Sequence, residues 1–587
     1  MMLLNQLKPA ILIATALFLA FATHAQSSYR VAVTDFGAVP DSRKDATAAI
    51  RSALAACRDK KNAVLVFPKG RYDLFADSAT PKEYFISNTS SESECPSKLK
   101  RIGLLLEGME GLRIEGNGSL LMFHGKMITF AFDHSNNILL HNLDMDFERP
   151  TMSEFTITGS TPATVDVQVH PDSWYRLDSG RLVWYGEGWR NEQYHCIRID
   201  TATHAMYYAN EEYAKLVGSE ITETAPFRLR FRGSFDTVRY TPGNVFTVRD
   251  PVRDEVGAFI VSSKNITLKS IRMHYMHGLG IVSQYSENIR MDSVAVEPRE
   301  GSGRRIASFA DGMHFSGCRG RITIEHCRFN GLHDDAVNVH GTHLSIVKMP
   351  SDHQLILRFM HPQTYGFMAF FSKDSIAFVH PSTLSILAGG LVRTATRLSD
   401  REILLTLQDP IPDAVKPGDV IENITWTPQL TIRHSIFTGT NTRGLLVTTR
   451  RKVVIEDNEF VNLGMQAILV ADDALSWYES GPVRDVLIRH NVFRACGHNL
   501  SQEYSTIAIA PENHELTTLP VHRNIRIVDN RFYSDRAPVL SARSVDGLSF
   551  TGNTIFYTRM PVKAGIAAAL HLTACSHVVI GKNRVAR

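Results

Sequence analysis

The chain has 587 residues, 44% of them hydrophobic and 21% charged, with a net charge of +3 at pH 7. That length supplies more core than one small domain needs. The near-neutral charge, without a basic stripe, argues against nucleic acid as a partner, and beyond the N-terminus no segment is apolar enough for a membrane span.

The first 28 residues read MMLLNQLKPAILIATALFLAFATHAQSS. Lys8 gives a positive start, residues 10–22 are apolar, and Thr23 and Ala25 are small residues at the −3 and −1 places of a cleavage site. This predicts a signal peptide over 1–25, a mature chain from Gln26, and export to the periplasm or the extracellular space. The first cysteine is Cys57, too distant for a lipid anchor. Residues 29–74 then predict a strand, a Gly/Pro/Asp turn, an amphipathic helix from about Asp45 to Lys60, and a strand ending at Pro68-Lys69-Gly70. Such a helix is expected to cover the open end of a solenoid.

Downstream, short strand-like units recur: RITIEHCRF (321–329), QLTIRHSIF (429–437), VVIEDNEF (453–460), VLIRHNVF (486–493) and IRIVDNRF (525–532). Asn458, Asn491, Asn530, Asn553 and Asn583 follow one another at 33, 39, 23 and 30 residues. Many short strands at a loose period, with no helical pattern between them, predict an all-β chain folded as a right-handed parallel β-helix with an N-terminal helical cap. The recurring Asn fits a turn that tolerates left-handed backbone and bonds laterally. Two stretches break the rhythm and predict inserted, barrel-like antiparallel β modules, each returning through a Pro-Gly turn. The expected division is 26–150 (cap and first coils), 151–250 (first module), 251–341 (coils), 342–425 (second module) and 426–587 (last coils). Seven cysteines, odd in number and without metal-site spacing, argue against a disulfide framework.

Chemistry concentrates in FADGMHFSG (309–317) and GLHDDAVNVHG (331–341). Asp has low β propensity, yet Asp311, Asp334 and Asp335 stand at the mouths of two successive strands. Asp311 and Asp335 are 24 residues apart, one coil, so they should stack about 4.8 Å apart on one face with Asp334 beside them. Crowded carboxylates raise at least one pKa, which is what a glycosidase needs for one protonated acid and one ionised base. Arg443 and Gln466 fall in the same column in the next two strands and are candidate hydroxyl binders. DDALSWYESGP (472–482) offers Trp477 as a sugar platform and Glu479 as a further hydroxyl ligand. Asp472-Asp473 is a rival acid pair without a stacked partner. His314, His333 and His340 are read as wall residues, His333 as a substrate contact, and no metal or cofactor is required.

The segment DFGAVPD…DATAAI…VLVFPKGRY resembles the N-terminal cap of pectin-lyase-like β-helix carbohydrate enzymes. The acid trio is similar to that of β-helix polygalacturonases, but their Gly-His-Gly and Arg-Ile-Lys motifs are missing. With ADGMHF, HDDAVNVHG, the cap and two insertions, the mature chain resembles glycoside hydrolase family 110, exo-acting α-1,3-galactosidases of blood-group B-type and linear α-1,3-galactosyl ends. The resemblance implies inversion in a single displacement, with Asp334 as general acid and Asp311 and Asp335 activating the water. The implied partner is a glycan with terminal α-galactose. A polygalacturonase-like or lyase enzyme, or a non-catalytic carbohydrate-binding β-helix, is the alternative; a lyase would need a Ca²⁺ cluster and a basic residue facing a uronate. The sequence carries no signal for oligomeric state.

Overall fold

The structure, a computed structural model, describes residues 29–191, 193–500, 504–558 and 565–586; the expected export signal lies outside them. Short strands rich in Val, Ile and Leu stack in parallel and form three columns. One contains Ala258–Val261, Ile281–Gln284, Met313–Ser316, Val337–Ser351, Leu445–Val447, Ile468–Val470 and Ile507–Ile509, each paired with the next. The second includes Glu287–Asp292, Arg319–Glu325, Gln429–Arg433, Val453–Glu456 and Val486–Arg489. The third includes Arg328–Phe329, Ile436–Thr440, Glu459–Leu463, Val492–Arg494 and Arg531–Ser534. Each coil gives one strand to each column, which makes a parallel β-helix.

Period-2 alternation sends every second side chain inward, where coils bury one another. Phe329, Phe437, Phe460, Phe493 and Phe532 stack in line with successive centroids 4.8–5.0 Å apart. Beside them runs a buried asparagine ladder. Asn491, Asn530, Asn553 and Asn583 each accept on Oδ1 from the backbone N–H and the side-chain amide of the Asn one coil earlier, starting from Asn458, at 2.9–3.2 Å. The left-handed backbone falls one residue before each Asn, at Asp457, His490, Asp529, Gly552 and Lys582. The asparagines therefore recur for lateral bonding, not for their own φ.

The helix α1 is shorter than expected, Thr47–Ala56. Asp45 pairs with Asp73 as an isolated bridge, and its carboxylate accepts from the Thr47 N–H at 2.8 Å, which sets the start. After Ala56 the chain turns, with Asp59 and Asn62 in left-handed backbone. α1 contributes Ile50, Ala53 and Leu54 to the main core.

The second inserted module is a closed six-stranded antiparallel barrel. Val337–Ser351 pairs with Gln354–Arg358, which pairs with Glu402–Leu407, then Ile386–Arg397, then Ser375–Val379, then Val420–Asn423, which returns to Val337–Ser351. Leu344, Leu357, Phe370, Phe378 and Leu405 fill it. The first module holds two antiparallel sheets. Seven strands form one, whose end strands Met206–Tyr208 and Glu220–Ala225 are not paired with each other among the described residues, and Trp174–Asp178, Arg181–Gly186 and Trp189–Arg190 form the other. An unexpected helix, α2 (Asn210–Val217), covers the seven-stranded sheet, packing Tyr213 and Leu216 with Phe155, Trp184 and Phe246. All seven cysteines are free.

Candidate active site

The column register expected from the sequence is observed. Met313 pairs with Val337, Val337 with Leu445 and Leu445 with Ile468, so Asp311, Asp335, Arg443 and Gln466 occupy equivalent positions in successive coils. Two hydroxyls hold the strand mouths: Ser308 Oγ donates to the Asp311 carbonyl and Thr440 Oγ1 to the Asp334 carbonyl, both at 2.6 Å. Gly312 is required here because a Cβ would lie 2.7 Å from the Ala336 carbonyl oxygen.

The three carboxylates share one cavity of about 210 Å³, also lined by Asn88, Arg253, His314, Asn338, Arg443, Asp473, Trp477, Glu479 and Glu512. Asp335 is buried and ion-paired, its oxygens accepting from Arg443 Nε at 2.9 and 3.0 Å and from the Arg443 backbone N–H at 3.0 Å. Asp334 is freer. Oδ1 accepts from the Asp335 N–H at 3.2 Å, and Arg253 Nη1 stands 3.5 Å from Oδ2. Burial, with the Asp311 and Asp335 carboxylates alongside, pushes Asp334 up to about 7. Burial and Asp335 likewise raise Asp311 well above the usual carboxylate range. Its Oδ2 is bonded to His314 Nδ1 at 2.8 Å.

Glu479 reaches the cavity because its strand, Glu479–Ser480, pairs with Gly341 and Thr342. Its Oε1 accepts from Asn88 Nδ2 at 2.7 Å and Asn338 Nδ2 at 3.3 Å. Trp477, 40% exposed, lines the cavity and stacks on His361 of the second module at 4.2 Å. The rival pair Asp472-Asp473 shapes this loop. Asp473 accepts the N–H groups of Leu475, Ser476, Trp477 and Tyr478, and Asp472 that of Gly481.

Two expected contacts lie elsewhere. Gln466 is half-buried in the column but is not part of the cavity lining: the column continues past the mouth of the site. His333 is buried against the first module, Nε2 bonded to Thr247 Oγ1 at 2.7 Å and Nδ1 accepting from Arg249 Nε at 3.3 Å, and it is also outside the lining. Its ring is held well below its ordinary pKa by burial and Arg249. Asn88, Arg253, Asn338 and Glu512 were not expected. Only Asn338 had a signal, as the polar residue between Val337 and Val339 in the strand after Asp335, on the face turned away from the core.

A larger cleft of about 1000 Å³ is lined by Asp144, Arg272, Glu297, Arg299, Arg304 and Arg328 among others. There Arg272 pairs with Asp144, Arg328 with Glu297, and Arg299 and Arg304 with Asp146. Those charges pair with one another, which leaves the smaller cavity, with its three crowded carboxylates, as the candidate site. Asp292, Glu325 and His326 lie close enough to share a cation, but Glu325 is already paired with Arg290 and Arg433.

Sequence profiles described as GLAA-B beta-barrel domain I and II match residues 153–246 and 354–421, and a profile described as rhamnogalacturonase A/epimerase, pectate lyase-like, matches 30–84. The chain is 47% identical over 562 residues to alpha-1,3-galactosidase A of Bacteroides fragilis (strain YCH46), covering 95% of this chain and 93% of that one. It is 37% identical to alpha-1,3-galactosidase B of Bacteroides thetaiotaomicron, covering 94% and 91%. Among solved structures, a family 28 exopolygalacturonase of Yersinia enterocolitica aligns with TM-score 0.42 and 12% identity over 94% of this chain and 78% of that one. Fold and site define a pectate-lyase-like β-helix glycoside hydrolase. The chain belongs to the α-1,3-galactosidase family, glycoside hydrolase family 110.

Proposed function

We propose that the protein is an exported exo-α-1,3-galactosidase that removes terminal α-1,3-linked galactose from glycans, of blood-group B type and linear, in one inverting displacement. The observation that carries this reading is the division of state among three carboxylates in one cavity. Asp335 is clamped as an anion by Arg443, while Asp334 titrates near neutrality. Asp334 protonates the glycosidic oxygen as the aglycone leaves. Asp335, with Asp311 beside it, holds and activates the water on the opposite face of the sugar. Trp477 offers the apolar face of galactose a platform, and Glu479 and Arg443 take hydroxyls. The cavity volume, about 210 Å³, is small against the ~300–1,000 Å³ of sites for drug-sized ligands, which suits one terminal sugar.

The reading includes export by cleavage after Ala25, a right-handed coil capped by α1, and a chain divided near 150, 250, 341 and 425. It is supported by the relatives' names and by the shared cavity. The test is galactose release from α-1,3-galactosyl disaccharide and from the fucosylated branched trisaccharide, by wild type and by Asp311→Asn, Asp334→Asn and Asp335→Asn. Release by wild type and its loss in all three variants is expected. Release undiminished in Asp335→Asn would remove the assigned base.

A further inference from the structure

Behind Asp311 stands a buried chain of hydrogen bonds whose protons can be counted. Asp311 Oδ2 meets His314 Nδ1 at 2.8 Å, His314 Nε2 meets His340 Nε2 at 2.8 Å, and His340 Nδ1 meets the Gly341 carbonyl at 2.6 Å. Both imidazoles are buried. The chain begins at a carbonyl, which only accepts, so His340 Nδ1 carries a hydrogen. A neutral His340 then accepts at Nε2, so His314 donates from Nε2. That leaves His314 Nδ1 a lone pair, which needs a hydrogen from Asp311. Three bonds need three protons, two neutral imidazoles bring two, and the third belongs to the carboxyl or makes one ring a cation.

The surroundings favour the carboxyl. Asp311 faces Asp335, Asp334 and Glu479 as well as Arg253 and Arg443, and a proton on it removes one of several neighbouring negative charges. A cation on His314 would be a buried charge against a second imidazole, and that ring is held down to about 3 by burial and His340. A cation on His340 would lean on Glu479, but that carboxylate is 3.6 Å from Nε2 and is already bonded by two asparagine amides.

We propose that His314 and His340 are positioning residues that hold Asp311 as a neutral carboxyl, so that Asp335 alone takes the proton of the attacking water. The proposal rests on the hydrolytic reading above and divides the work of its two aspartates. Asp311 Oδ2–H stays bonded to His314 while Oδ1 accepts one water hydrogen without abstracting it. The other water hydrogen passes to Asp335, the water oxygen bonds the anomeric carbon, the glycosidic C–O bond breaks, and Asp334 gives its proton to the leaving oxygen. Atoms and charge balance with no further reactant, and solvent resets Asp334 and Asp335.

The test reads protons directly. In ¹⁵N-labelled wild-type protein near neutral pH, His314 should show the Nε2–H tautomer and His340 the Nδ1–H tautomer. Infrared difference spectra of wild type against Asp311→Asn should contain a neutral-carboxyl band. An imidazolium at either ring, or an Nδ1–H tautomer at His314, overturns the proposal. His340→Phe removes the acceptor at the chain's end, so His314 can turn its hydrogen to Nδ1 and Asp311 ionises. The carboxyl band should vanish, and kcat should fall about 10²-fold with KM unchanged. His340→Gln keeps an acceptor near Nε2 and should restore the band and most of the lost kcat; a band that persists in His340→Phe overturns the idea. The expected tautomers in a wild-type protein that releases no galactose would sink the hydrolytic reading while leaving the proton placement intact.

Discussion

Asp334 and Asp335 are neighbours in sequence with opposite environments. The Arg443 guanidinium and backbone N–H bind Asp335, whereas Asp334 has one N–H and a guanidinium at 3.5 Å. A general acid works only while protonated, so kcat/KM is expected to fall as pH rises through about 7, the value to which burial and its neighbours push Asp334. Asp334→Asn should lower turnover of natural disaccharides by about 10²–10⁴-fold, and much less for an aryl galactoside with an acidic leaving group; equal losses would remove Asp334 as the acid. The same shift affects stability. Between the ordinary carboxylate value of 3.8 and about 7 the folded state binds the proton that the unfolded chain releases. The proton's stabilising contribution is therefore complete at low pH and is lost as pH rises through about 7. The amide variant has nothing to lose, so its thermal midpoint should exceed wild type at pH 8 and match it at pH 4. A midpoint below wild type at pH 8 would contradict the burial argument.

At the scale of elements, the asparagine ladder does for the coils what the carboxylates do for the site: it repeats one polar contact at one position. Asn491 accepts two bonds from Asn458 and donates to the carbonyls of Ile455 and Arg489. Asn491→Ala orphans buried donors on Asn458, each costing about 1–3 kcal/mol. A fall in the urea midpoint equivalent to ~3 kcal/mol or more is expected, whereas Asp457→Asn, one residue before the ladder, should shift it by less than about 0.5 kcal/mol. Comparable losses in both would mean that the turn, not the ladder, carries the energy. The strand Val337–Ser351 links this scale to the site. It starts as a coil strand, pairs with the Glu479–Ser480 strand and ends as a strand of the barrel, so one element ties carboxylate, Trp477 loop and wall. Trp477 stacks on that wall through His361. Trp477→Ala should raise KM about tenfold, a loss of ~1.4 kcal/mol, with kcat little changed; an unchanged KM would leave the ring a packing residue only.

Across the whole molecule, what was legible in the sequence is what repeats. The coil columns, the Phe stack and the stacking of Asp311 under Asp335 follow from alternation and spacing, because each coil buries the same positions on its neighbour. The rest arrives from far along the chain without a local pattern: Arg253 reaches Asp334 across 81 positions and Asn88 reaches Glu479 across 391. Gln466 shows the limit of column reasoning, since a column continues beyond the cavity that uses part of it. The same assembly underlies the stereochemistry proposed above. Asp311 and Asp335 belong to one column and share one side of the cavity, while Asp334 turns from the strand mouth toward Arg253. If water is held by the column pair while Asp334 meets the leaving oxygen across the ring, displacement is direct and no carboxylate bonds the anomeric carbon. The first sugar released from an α-galactoside is then β-galactose. Proton NMR in the first minutes, before mutarotation, is expected to show that anomer. An initial α-anomer would require a covalent intermediate, and the nucleophile would have to be Asp335 or Asp311 lying closer to the sugar than a shared water permits.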